Sequence, residues 1–108
     1  MLFVKAGRIS SQVTGLSLSK VVSSRLPVLQ ATWTIPQSDE PISQFILQYR
    51  KHGTTPWGSQ SSTTQNSTIV PSLAAGTEYD VRVRAESAVG DGMWSAVQTE
   101  RTYMSEFL

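Results

Sequence analysis

Few side chains in this sequence are of types that do chemistry, and their placement limits what they can do. His52 is the only histidine, in the turn-forming run His52-Gly53-Thr54-Thr55-Pro56. No second imidazole can join it on a metal, and a nucleophile–histidine–acid set would have to rest on a turn, so it is read as an exposed turn residue. With no cysteine, disulfides, thiolate catalysis and thiolate-bound zinc are excluded together. Asp39 and Glu40 fall in a loop before Pro41, while Glu78 and Asp80 share one side of an alternating segment. Acid–base work by a carboxylate pair needs opposed positions across a cleft, so both pairs are expected to be solvated charge. No catalytic, cofactor-binding or metal-ligating residue is assigned, and the chain is read as non-enzymatic.

A second constellation is better suited to packing than to reaction. Glu78, Asp80, Arg82, Arg84 and Glu86 make every outward position of one segment charged. An arginine lying on an indole face gains about 0.5–1 kcal/mol at an exposed site and keeps a surface tryptophan half covered. This predicts an Arg84–Trp94 stack, with Arg82 and Trp57 extending it. Asn66-Ser67-Thr68 is an N-glycosylation acceptor triplet in a polar stretch expected to be exposed. Residues 36–44 and 86–93 are expected to emerge at one end of the fold, where Asp39, Glu40, Val89, Asp91 and Met93 are candidate contact residues.

These side chains must be positioned by strands. No stretch of twelve or more residues has helical apolar spacing, whereas several alternate every second residue. Tyr79, Val81, Val83 and Ala85 face one way while Asp80, Arg82 and Arg84 face the other. Leu29, Ala31 and Trp33 form a second alternating set, and Phe45, Leu47 and Tyr49 a third. Weaker signals at 13–18, 57–63, 68–70 and 96–102 bring the total to seven strands. Turn-forming residues separate them at 36–41, 52–56, 74–76 and 89–92, and the long link from Leu18 to Leu29 leaves the first strand's register open. Seven short strands without helices predict an all-β, two-layer antiparallel sandwich. Its expected core is Trp33, Leu47, Tyr49, Leu73, Tyr79, Val81 and Val83.

Size and charge agree with one such unit. At 108 residues the chain suits a single domain, placed at 13–102 with flanks 1–12 and 103–108. Its 39% hydrophobic and 16% charged content supports a packed core. A net charge of +1 gives no field to hold nucleic acid. The opening Met1-Leu2-Phe3-Val4-Lys5 is too short for a signal peptide or a membrane span. The apolar ends, Leu2-Phe3-Val4 and Phe107-Leu108, are left open between packing against adjoining domains, packing against a crystal neighbour and no packing at all.

From about Val13 to Thr102 the sequence resembles a fibronectin type III domain, a seven-stranded immunoglobulin-like sandwich. Trp33 with Pro36 resembles the second strand and its terminating proline; Pro41-Ile42 with Phe45, Leu47 and Tyr49 resembles the third. Leu73 and Gly76-Thr77-Glu78-Tyr79 resemble the turn and tyrosine that open the sixth, and Gly90, Gly92 and Ser95 the connection into the last. Ala75 stands where the family often has proline, and Val89 replaces the arginine of an Arg-Gly-Asp motif. Trp94-Ser95 resembles half of the cytokine-receptor Trp-Ser-x-Trp-Ser box, whose second half Val97-Gln98 replaces. The resemblance implies a monomeric, non-catalytic protein-interaction or spacer module, without cofactors, of an extracellular receptor, adhesion or matrix protein. The alternatives behind it are an intracellular mechanical array module of a muscle or cytoskeletal protein and, third, an accessory domain of a carbohydrate-active enzyme.

Overall fold

In the computed structural model, residues 12–21, 27–38, 40–71 and 73–104 are described. Asp39 and both apolar ends lie outside them. Eight strands follow in order: β1 Thr14–Val21, β2 Val28–Thr34, β3 Ile42–Lys51, β4 Ser59–Thr63, β5 Ser67–Val70, β6 Glu78–Ser87, β7 Gly90–Asp91 and β8 Gln98–Arg101. They form two antiparallel sheets. One is three-stranded in the order β1-β2-β5; the other runs β4-β3-β6-β7, with β8 also paired to β6.

The two-residue period of a strand sends alternate side chains to opposite faces, and the paired strands keep their apolar sets in step. In β6, Tyr79, Val81, Val83 and Ala85 are all buried, directly opposite Lys51, Tyr49, Leu47 and Phe45 of β3. From the facing sheet come Leu29, Ala31 and Trp33 of β2 and Val70 of β5, with Val13, Leu16 and Leu73 closing the core. Tyr49 is half-buried at its margin. Trp33 meets Phe45 edge to face, with ring centroids 5.4 Å apart at 66°, the arrangement that ring quadrupoles favour.

Polar clasps close the turns over this core. The Ala74 N–H donates to the Tyr79 hydroxyl at 2.8 Å, tying the turn before β6 to that strand. Gly76, at a φ of 58°, takes the left-handed conformation this turn requires, and its N–H donates to the Tyr103 carbonyl.

Several element bounds differ from the sequence reading. β1 runs on to Val21 and β2 starts at Val28, in register with it, so the long link after Leu18 is shortened by paired strand. Gly90–Asp91, expected to be loop, folds back on Glu86 and Ser87 as an eighth strand. Trp57, expected inside a strand, precedes β4 and serves another purpose described below.

The register also orients the ends. Thr14 pairs with Thr34, where the 35–41 loop leaves, and Ile42 beyond that loop pairs with Ser87. Arg101 pairs with Glu78, whose carbonyl accepts from the His52 N–H at the opposite turn. The chain thus enters the sandwich at one pole and leaves it at the other. Trp33→Ala is expected to cost about 3–5 kcal/mol of stability and Tyr79→Phe about 1 kcal/mol, both measurable by urea unfolding. A Trp33→Ala protein as stable as the parent would contradict this core.

Candidate functional site: an arginine–tryptophan ladder

The outer face of the five-stranded sheet is not a simple wet surface. Arg82 and Arg84 leave β6 on the same side, about 6.7 Å apart at the usual strand rise, and two aromatic contacts of about 3.5–4 Å fill that gap with one ring. Trp94 occupies it. Its ring lies 4.2 Å from the Arg82 guanidinium carbon and 4.6 Å from that of Arg84. Ser95 fixes this placement, since its N–H donates to the Val83 carbonyl at 2.8 Å and its hydroxyl accepts from the Val83 N–H at 3.0 Å. Val83 sits between the two arginines, so anchoring residue 95 there centres residue 94 on the gap.

The other side of Arg82 is covered by Trp57, 4.5 Å away, and Trp57 in turn is capped by Arg50 at 4.0 Å. The full order is Arg50, Trp57, Arg82, Trp94, Arg84. The Arg50 rung was not legible along β6, because residue 80 of that strand is an aspartate; the rung comes from its cross-strand partner in β3. Gln48, opposite Arg82, accepts from its Nε and Nη2 at 3.0 and 2.6 Å and passes the link to Gln60 of β4 at 3.0 Å. Burial holds the Arg82 pKa below the usual arginine value, with the charges of Arg50 and Arg84 acting in the same direction. A guanidinium nevertheless remains a cation at neutral pH.

Asp80 corrects the sequence reading most clearly. Expected as solvated charge, it is only 3% exposed, because three elements converge on it. Thr99 of β8 and His52 meet its Oδ1 at 2.7 and 2.8 Å, and Arg50 donates to Oδ2 at 3.0 Å. Burial pushes its pKa up, but the hydrogen bonds from Thr99, His52 and Arg50 and the nearby His52 charge outweigh this and leave it lowered. His52 is exposed in its turn, as its residue type suggested, yet it has a buried partner. Asp80 therefore fastens the turn that carries Trp57. The neighbouring Glu78 remains at the surface, 3.9 Å from Arg101.

Of the candidate contact residues, Asp39 lies outside the described residues, and Glu40, Val89, Asp91 and Met93 belong to the segments 36–44 and 86–93. Gln44 Nε2 donates to Glu86 Oε1 at 2.8 Å, holding the two loop bases together. Val89 and Met93 are exposed, Met93 at 61%. Glu40 is half-buried. Asp91 lies 3.4 Å from Arg84 and so serves the end of the ladder. Asn66, on the turn between β4 and β5, is exposed, and its Nδ2 donates to the Trp33 carbonyl at 3.0 Å.

With this geometry in place, comparison with known proteins is decisive for the family. The sequence model of the fibronectin type III domain matches residues 11–101. The chain belongs to the fibronectin type III family. This fibronectin type III domain resembles a crystal structure of a run of titin domains at 26% identity and a TM-score of 0.77, covering 88% of this chain and 32% of that one. It resembles the twitchin kinase region from C. elegans at 13% identity and a TM-score of 0.76, covering 91% and 17%. For the rat CD45 extracellular region the values are 17% and 0.71, covering 87% and 50%. The last two likenesses show shared fold alone, and the chain spans about a third or less of the titin and twitchin chains.

Arg82→Ala removes the rung between both indoles and is expected to cost about 1–3 kcal/mol and to shift tryptophan emission to the red; an unchanged spectrum would argue against the stack. Because the unfolded chain takes up a proton at Asp80 more readily than the native one, this carboxylate contributes stability above about pH 4 that is lost as pH falls further. Asp80→Asn should lower the urea midpoint at pH 7 and flatten its fall below about pH 4. An equally steep acid limb in that variant would assign the effect elsewhere.

Proposed function

We propose that this fibronectin type III domain is a non-catalytic spacer and protein-interaction module of an extracellular cell-surface receptor, adhesion or matrix protein. The observation that carries the reading is the placement of entry and exit at opposite poles: Thr14 beside Thr34 at one, Arg101 beside Glu78 at the other. Neighbouring domains joined at such poles extend in line, so each module adds length. The ladder occupies one sheet face with the chain's own side chains, which directs partners to the entry-pole loops, where Val89 and Met93 expose apolar surface. A flexible methionine beside a small apolar residue suits an adaptable protein contact.

The acceptor triplet Asn66-Ser67-Thr68 supports the extracellular setting. The 26% identity with the titin domains supports a second reading, a mechanical spacer in an intracellular array. An antibody raised against this domain, applied to cells that express the parent protein, separates the two. Staining of intact cells is expected; staining only after permeabilisation would overturn the extracellular reading in favour of the array.

A further inference from the structure

Among the described residues, two strand edges on one side of the sandwich have no neighbour. β4 ends the five-stranded sheet, β5 ends the three-stranded one, and they are consecutive in the chain, joined through the turn at residues 64–66. An open edge presents unpaired backbone groups to any other strand, and proteins usually guard it with lysine, inward charge or proline within the strand. None of these three lies within either strand, and only the strands' shortness, five and four residues, limits pairing. Residues 58–77 contain no Asp, Glu, Lys or Arg, and the strands themselves read Ser-Gln-Ser-Ser-Thr and Ser-Thr-Ile-Val. Beside β5 the outer face of the smaller sheet continues in the same character, with Thr32 opposite Ser67 and Gln30 opposite Ile69, and Ile69 is 45% exposed.

Asn66 stands at the junction of these two edges. Its side chain is held by the Nδ2 bond to the Trp33 carbonyl, and its own carbonyl accepts from the Trp33 N–H at 3.1 Å. An amide nitrogen carries two hydrogens, so joining a sugar to Nδ2 leaves one N–H to keep the bond to Trp33. The attached glycan would then be held in a set direction beside the edges, not swung from a free side chain. Asn66, with Ser67 and Thr68, completes the triplet an oligosaccharide transfer requires.

We propose that Asn66 carries an N-linked glycan that acts as the missing edge guard, keeping the β4–β5 side of the domain from pairing with a second copy. The proposal rests on the extracellular reading above for its setting, but its test does not. The chain is directed through the secretory pathway of a eukaryotic cell by an appended signal sequence, and protein from both medium and lysate is digested with a glycan-releasing amidase and weighed by intact mass. A glycan present in the parent chain and absent in Thr68→Ala is expected; Thr68→Ala removes the triplet while leaving Asn66 and its bond to Trp33 in place. An unglycosylated parent chain would overturn the proposal, whatever antibody staining says about where the natural protein resides.

The guarding role has its own readout. In sedimentation at rising concentration the glycosylated chain is expected to stay monomeric, whereas Thr68→Ala associates. Replacing Ser61 and Ile69 with lysine in the unglycosylated chain should restore the monomer. A glycan-free chain that remains monomeric throughout would show that the edges need no guard and would overturn that role.

Discussion

The two-residue period of β6 is the constraint that the rest of the molecule obeys. On one side the strand delivers Tyr79, Val81, Val83 and Ala85 to the core; on the other it delivers Asp80, Arg82 and Arg84 to the ladder. A slip of one residue against β3 would exchange the two sets, putting guanidinium groups among leucine and tryptophan and valines in water. Core and ladder therefore fix the same register from opposite faces. Each makes the alternative pairing expensive for an independent reason.

The ladder also ties together parts of the chain that share no backbone pairing. Trp57 comes from the approach to β4 and Trp94 from the segment before β8, and both meet on Arg82. Ser95 holds the second of these in place through Val83, and the Asp80 carboxylate holds the turn leading to the first through His52. In a chain without disulfides, such side-chain ties across the sheet supply part of the closure that covalent links provide in other small domains. Each stack is worth only about 0.5–2 kcal/mol, but four of them share three arginines and two indoles, so their loss at Arg82 is felt along the whole face.

What the sequence showed of this arrangement follows from which signals are local. Alternation within β6, and the aromatic positions Trp33 and Tyr79, are properties of single segments, and the sandwich could be read from them. The Arg50 rung on Trp57 depends on which strands become neighbours, and nothing within residues 50–57 announces it. Asp80 was misread for the same reason: an aspartate on the outward side of a strand is solvated unless other elements close over it, and here Thr99, His52 and Arg50 arrive from three separate places. Gly90–Asp91 was hidden because a two-residue strand has no period to detect. The reading of Trp94-Ser95 as a pair was legible in outline, whereas the reason for the serine, its two hydrogen bonds with Val83, belongs to the tertiary structure.

The two faces that result are chemically unlike, one packed with charge and indole, the other neutral and hydroxyl-rich, and the account of both depends on the sandwiched position of Arg82. Its side-chain protons lie between two ring faces, where aromatic currents displace their NMR frequencies upfield. The direct test is an NMR spectrum of the arginine side chains assigned in the folded domain. The Arg82 resonances are expected to be the most strongly displaced, with Arg50 and Arg84, each facing a single indole, displaced less. Arg82 resonances at the positions of a solvated arginine would contradict the account.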